Sequence, residues 1–406
     1  MIKRFLGDSD IPVYLLLFLT ACNLFAKFYY FAFLCVLIVF LRRRCMTVNR
    51  TAVLYLLLGC FMAVGNLEHG LLAMIRCFLF VLIYAAGYHL IRIRAGADAS
   101  WEVRSSFLQK KAAALILSMT LGSFAHYLAN FIKSITSSQM SGRNTLDIWT
   151  NQVMAATGQA AFGCLAAAAA VAMLLYPIRR LDRLFGGLTI TVLLLYNMIL
   201  AGRTLMILTL GLLLADFVFL LVRMKSFYPR LHMIFGILVC GGLFAFVWVR
   251  NIGGLRDLWM ESNLVQRFLE DTGQSLLQTD RIGSKLGFLR SMPDHPFGGL
   301  HLRAQYGYAH DLLLDAYDEY GIGVFLLLIV ILITGIYEWF CLLKQGRYAL
   351  PYLNLIACIY PVIFAIFLLE PIFAGMQWLF VTYCFFNGII AGLNAAAKRT
   401  STEITD

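Results

Sequence analysis

His310 is followed by Asp311, Asp315, Asp318 and Glu319. Histidine titrates near pH 6.5, so one placed at the start of a helix could take a proton from a hydroxyl at neutral pH. It is equally the residue type of a hydrogen-bonded structural histidine. The acids fall at i, i+4, i+7 and i+8 from Asp311, one stripe of a helix. They could orient His310 or hold a hydroxylated acceptor, and they have the spacing of a solvated face as well. Asp311 itself, one position on, points away from His310 on a helix. Arg281 and Lys285 share a helical face, with Arg290 and Arg303 following. Such cations suit a pyrophosphate, a solvated face or anionic lipid headgroups. Arg203, in LAGRTLMIL, sits in a minimal turn between apolar runs. Its planar fork of donors fits a phosphate at headgroup depth, although an arginine at a span end also snorkels. His295 and His301 lie in a turn rich in proline and glycine, which suggests shape. The histidine spacings match no compact zinc set, and no metal or other cofactor is expected.

These residues must be positioned by an unusual chain. Of 406 residues, 61% are hydrophobic and only 14% charged, against about 25% charged in a soluble domain. Mean hydropathy is +0.79. A water-soluble fold cannot hide that much apolar surface, so the solvent is a bilayer for most of the length. The apolar runs are continuous rather than alternating, which selects helices over a barrel. They cover about 11–25, 28–41, 51–67, 70–91, 112–134, 152–176, 184–202, 204–222, 231–249, 321–343, 350–369 and 372–394. The expectation is an all-α polytopic membrane protein with about twelve spans. The first three are short for a core of ~30 Å, and the first two could form one re-entrant hairpin. The ten cysteines (22, 35, 45, 60, 77, 164, 240, 341, 358 and 384) lie in or beside apolar runs with no CxxC, which predicts no disulfide framework.

The net charge of +11 is distributed as a topology signal, not as a nucleic-acid surface. No cleavable signal peptide is recognised. With the N-terminus in the cytoplasm, cytoplasmic intervals hold 21 of the 33 basic residues, among them Arg42, Lys111 and Arg347. The short outer loops hold Lys27, Lys133, Arg143 and Arg203. Both termini are then cytoplasmic and the long polar interval 250–320 faces outward. Residues 1–249 make a bundle of about nine spans, 250–320 an extracytoplasmic loop of two or three short helices, and 321–406 the last three spans and a short tail.

The HPFGGL turn at 295–300, the AHDLLLDAYDEYG stretch at 309–321, the AGRT turn at 201–204 and the TDRIGSK stretch around Arg281 together resemble the O-antigen ligase and polymerase superfamily of bacterial membrane glycosyltransferases. Asp311 stands where that family usually has asparagine, and Gly321 and Gly323 are closer together than its usual spacing. The resemblance implies a GT-C-like fold in a bacterial cytoplasmic membrane. It implies a glycan donor on undecaprenyl pyrophosphate and a glycan or lipid-linked acceptor, with membrane lipids and other polysaccharide-assembly proteins as partners. His310, Arg203 and Arg281 become the catalytic set, and Lys285, Arg290, Arg303, Asp311 and Glu319 become substrate-binding residues. Arginine charge would serve without a metal, and no GxxxxGK[ST] run offers an ATP site. The rival is a lipid-linked glycan flippase or other polysaccharide transporter, which would place charges inside spans. Arg76 and Glu370 are the candidates for that. A third reading is an accessory membrane protein whose loop does no chemistry. Impermeant thiol reagents should label cysteines placed at 203 and 281 from the same, outer side; labelling from opposite faces would dissolve the proposed site.

Overall fold

The computed structural model describes residues 10–43, 48–92, 100–136, 145–224, 226–271 and 280–402. Each apolar run in the sequence is helical. The N-terminal helices are α1 (Ile11–Ala21), α2 (Phe28–Arg43) and α3 (Arg50–Gly65), then α4 (Leu71–Cys77) and α5 (Leu79–Ile91). The long α6 (Trp101–Thr136) precedes a two-residue antiparallel pair, β1 (Thr145–Leu146) and β2 (Val153–Met154). Next come α7 (Ala156–Leu175), α8 (Arg180–Leu200), α9 (Arg203–Arg223) and α10 (Phe227–Val249). Among the described residues, the polar interval holds five short α-helices: α11 (Leu255–Met260), α12 (Asn263–Asp271), α13 (Asp280–Ser291), α14 (His301–Tyr306) and α15 (Leu312–Tyr320). The chain closes with α16 (Ile322–Gln345), α17 (Leu350–Phe367), the short α18 (Ile372–Gly375) and α19 (Gln377–Thr402).

Among the described residues, nine helices are long and apolar enough to cross a membrane. The chain is a multi-pass helical membrane protein. The helices at 11–21, 28–42 and 50–65 are apolar but shorter; at 1.5 Å per residue they reach only about 16–24 Å. The loop is more divided than the two or three short helices expected of it; Glu261 and Ser262 alone separate α11 from α12.

The chain folds as two units, one of 1–126 with 276–406 and one of 127–275, interleaved along the sequence. In the first, α19 lies along α5 at backbone contact. A Cβ on Gly388 would sit 2.2 Å from the Tyr84 carbonyl oxygen, one on Gly87 2.5 Å from that of Phe385, and one on Gly392 2.9 Å from the Ile91 side chain. Gly388 and Gly392 form a GxxxG pair. Lipid is as apolar as leucine, so helix association in a bilayer depends on such close backbone packing. Polar groups buried between these helices are paired. Tyr360 Oη donates to Asn387 Oδ1 (2.7 Å), and Asn387 Nδ2 donates to Tyr55 Oη (2.8 Å).

Polar contacts join the ends of several helices of this unit. At one end Asp10 pairs with Arg42 (3.6 Å) and Lys111 (2.6 Å). Beside Lys111 on α6, the Gln109 side chain accepts the Ala349 N–H (2.9 Å), and the Arg347 guanidinium lies 5.8 Å from the Trp101 ring. At the other end Asn66 Nδ2 reaches Tyr320 Oη (3.3 Å) at the foot of the polar loop.

In the second unit, α7 packs between α8 and α9 around Ala170, Val171 and Ile190. Asn130 donates to Gln159 Oε1 (2.8 Å) and accepts the Ile148 N–H (2.8 Å), tying the β1–β2 turn to the helices. Gly388→Leu should wedge α5 from α19 and cost about 3 kcal/mol. Thermal unfolding in detergent should show a Tm lower by several degrees; an unchanged Tm would mean the two helices are not packed through their glycines.

Candidate functional site

The polar loop from α13 to α15 is a small folded body with its own core of Phe288, Leu302, Ala309, Leu314 and Tyr317. Its two sequence motifs meet backbone to backbone. The HPFGGL turn lies across the end of α15: Leu300 N–H donates to the Asp318 carbonyl (2.8 Å) and Ile322 N–H donates to the Pro296 carbonyl (3.0 Å). Gly298 and Gly321 face each other there, at φ +78° and +82°. A Cβ on Gly298 would lie 2.8 Å from Gly321 N, and one on Gly321 2.8 Å from Phe297 C. Only glycine suits both the left-handed backbone and the contact. His295 and His301 stack with ring centroids 4.9 Å apart, in keeping with a shape-forming role for this turn.

The acidic stripe is not a solvated face. Asp315 and Asp318 are 0% and 1% exposed, and Asp311 is also buried. Each carboxylate holds backbone. Asp318 accepts the N–H groups of Leu302 (2.8 Å) and Arg303 (3.1 Å), capping α14. Asp311 caps α15 by accepting from Leu313 (3.0 Å) and Leu314 (3.3 Å). Asp315 accepts from Ala309 (3.1 Å) through Oδ1 and from Asp311 (3.3 Å) through Oδ2. Those two peptides flank His310. One carboxylate therefore brackets the histidine, which adopts φ +52°. A non-glycine residue in this region is strained, and the surrounding bonds must hold it there. The half-buried His310 precedes α15 by two residues and is not on it.

The cations have separate duties. Lys285 on α13 donates to Asp311 Oδ2 (3.3 Å) and to the Leu368 carbonyl (2.6 Å), tying loop and cap to the C-terminal end of α17. Arg303 lies 3.9 Å from Asp318 Oδ2 and 3.6 Å from Glu319 Oε2, with its guanidinium 4.6 Å from the Tyr308 ring. Arg290 is exposed and makes no ion pair among the described residues. Arg281 belongs to the first turn of α13, and its side chain lies outside the described residues. The structure thus gathers Lys285, Arg303, Asp311 and Glu319 into one network around His310's segment. Asp311, Lys285 and Arg303 are already engaged with protein groups in it. Among the described residues, no group of three or more His, Cys, Asp or Glu side chains could hold a metal ion.

Arg203 belongs to the second unit, as the first residue of α9. Ala201, at φ +54°, ends α8, and Gly202 leads into α9. Asn197 sets this turn: its backbone carbonyl accepts the Ala201 N–H (2.9 Å), and its Oδ1 accepts that of Gly202 (3.2 Å). A Cβ on Gly202 would fall 2.7 Å from that Oδ1. The AGRT turn owes its glycine to this approach.

Arg76 and Glu370 do not exhaust the intramembrane charges. Glu338 lies within α16 and accepts from Thr51 Oγ1 (3.3 Å), and Asp216 is buried in α9. Both sit inside runs whose hydropathy masks a single acid. Arg76 rests 4.0 Å over the Tyr29 ring, and Glu370 is buried beyond the end of α17.

No family model matches the chain, and no curated protein matches it.

Burial pushes the Asp315 carboxyl up to about 6, against the opposing pull of the two backbone N–H bonds and of Arg303. The folded loop therefore binds more protons than the unfolded chain between about pH 4 and 6. Its stabilisation from this group is full below about pH 4 and is lost as pH rises through about 6. Hydrogen exchange over 296–320, corrected for intrinsic rates, should show local stability falling by about 2 kcal/mol from pH 4.5 to 7. Asp315→Asn should remove that slope, and a slope retained in the variant would assign it to another group.

Proposed function

We propose that this protein is a membrane glycosyltransferase of the O-antigen polymerase and ligase type. It transfers a glycan from an undecaprenyl-pyrophosphate-linked donor to an acceptor hydroxyl at the outer face of a bacterial cytoplasmic membrane. The observation that carries the reading is the bracketing of His310 by Asp315. A buried acid is spent on the two backbone N–H groups that flank a half-buried imidazole on a strained backbone. Such strain is kept where a residue's position matters.

In this reaction His310 takes the proton of the acceptor hydroxyl as its oxygen attacks the anomeric carbon of the donor sugar. A new glycosidic C–O bond forms as the bond from that carbon to the pyrophosphate oxygen breaks. The lipid pyrophosphate leaves with the bonding pair. Arg203 and Arg281 are assigned to the negative charge that grows on it, a role that fixed cations fill well in a low-dielectric site. Arginine charge makes a divalent ion unnecessary in this scheme. Among the described residues, nine long and three shorter apolar helices and a polar loop with a core of its own suit a GT-C-like plan, in which both chain termini are placed in the cytoplasm.

One observation favours the transporter reading. Glu338, on a long apolar helix, lies near the buried Tyr55–Asn387–Tyr360 chain, and an intramembrane acid is a common mark of a transport path. Reconstitution separates the two. Purified protein in liposomes, given a lipid-pyrophosphate oligosaccharide and an acceptor, should form new glycosidic bonds, and should do so in the presence of chelator. Lengthened lipid-linked chains identify a polymerase, and transfer to a different acceptor identifies a ligase. His310→Gln should slow transfer by about 10²–10⁴-fold, and Arg203→Ala or Arg281→Ala by about 10²–10³-fold. Movement of the lipid-linked glycan across the bilayer with no new bond would overturn the proposal in favour of transport.

A further inference from the structure

The polar body from α13 to α15 is pinned to the ends of two membrane-spanning helices. Lys285 Nζ donates to the carbonyl of Leu368 (2.6 Å), the residue that ends α17. The N–H of Ile322, the first residue of α16, donates to the Pro296 carbonyl (3.0 Å). Both α16 and α17 are long and apolar enough to cross a membrane. The exposed large side chains of α16 run from Ile322 through Leu326, Val330 and Ile333 to Tyr337 and Phe340. They recur every three or four residues, which makes one stripe of the helix. On a spanning helix such a stripe meets lipid, and this one begins at the residue bonded to Pro296.

At this depth the body shows apolar side chains that its own core does not use. Phe297, next to Pro296, is 89% exposed, more than any other large hydrophobic side chain among the described residues. A Cβ on Gly321 would lie 2.9 Å from the Phe297 Cα, so Phe297 stands level with the start of α16. Helix α13 has two apolar faces. Phe288 enters the core of the body, and Ser284 and Ser291 bond Tyr306 on that side. At about 100° per residue, Ile282, Leu286 and Leu289 fall on the opposite face. Leu286 and Leu289 are 45% and 54% exposed. The Lys285 ammonium, at the edge of that face, reaches the Leu368 carbonyl and so sets the face beside the end of α17.

We infer that the Ile282–Leu286–Leu289 face of α13 and the Phe297 tip of the HPFGGL turn insert together into the interfacial layer of the bilayer, as a two-point membrane anchor for the polar body. Grouped exposed apolar side chains mark a contact surface. Lipid is the occupant because the surface is continuous with one that already meets lipid. Phe297 adjoins Ile322, where the exposed stripe of α16 begins, and α13 adjoins the exposed Leu368 at the end of α17. An aromatic ring and an amphipathic helix are the elements that favour this layer. The anchor fixes the distance of the His310 segment from the membrane surface, through Lys285 and the Asp311 cap of α15. It depends on the membrane spans alone and holds whatever reaction the site performs.

The test uses the purified full chain in nanodiscs, one chain to a disc, so that no second copy can cover the surface. Trifluoromethyl-phenylalanine takes the place of Phe297 and keeps the ring. Fluorine relaxation is measured with dissolved oxygen, which concentrates in lipid, and with a nickel chelate, which stays in water. The ratio of oxygen to nickel relaxation should stand several-fold above that of the free amino acid in buffer. It should lie toward the value for the same probe at the exposed Phe235 of the apolar span α10. A ratio equal to that of the free amino acid would overturn the anchor.

The α13 face is tested separately. Benzoyl-phenylalanine in place of Leu289, irradiated in the same discs, should form adducts with lipid acyl chains, read by mass spectrometry of the α13 peptide. The same probe at Leu286 should do likewise, which keeps the test intact if one substitution unfolds the chain. A folded chain with no lipid adduct at either position would overturn the anchor. Lipid contact at Phe297 alone, or at α13 alone, would also overturn it, because the inference requires both to enter the bilayer together.

Discussion

A single buried carboxylate, that of Asp315, holds the N–H groups on both sides of His310. The rest of the polar loop is arranged so that this contact can exist. Asp315 must lie on a helix whose start is fixed, and Asp311 caps that start. The loop reaching back from α14 must pass close to α15, and Asp318 collects its N–H groups. The far end of α15 must stop sharply, and Gly321 lets it do so against the backbone of the HPFGGL turn. Lys285 then anchors cap and loop to the end of α17. Losing a methyl-sized clearance at Gly298 or Gly321 would move Asp318 and, through α15, Asp315. A site held this way needs backbone satisfaction first, and the side chain that does chemistry comes last.

The transmembrane part obeys the same rule under a harsher solvent. In hydrocarbon an unpaired polar group has no water to turn to. The buried tyrosines and asparagines of the first unit pair with one another across α3, α17 and α19. Glycines at 87, 388 and 392 let two of its helices meet at their backbones.

The helices were legible because a continuous apolar run has one solution in a bilayer, and all twelve runs are helical. The acidic stripe was misleading because i, i+4, i+7 spacing tells which residues share a face but not what covers that face. Asp315 and Asp318 are occupied by N–H groups from residues 302, 303, 309 and 311, contacts that no periodicity announces. His310 reads as a helix start, yet the N-cap is Asp311; an aspartate followed by apolar residues was the available signal. Glu338 and Asp216 were hidden by window averaging. Asn197 had no sequence signal beyond standing four residues before the turn.

The most direct test is a double-mutant cycle on glycosyl transfer by the reconstituted protein, pairing Asp315→Asn with His310→Gln. If Asp315 acts by positioning His310, Asp315→Asn slows transfer about ten-fold or more in the native background. In the His310→Gln background it should then cost almost nothing further. Equal losses in both backgrounds, or a His310→Gln protein as active as the native one, would contradict the account.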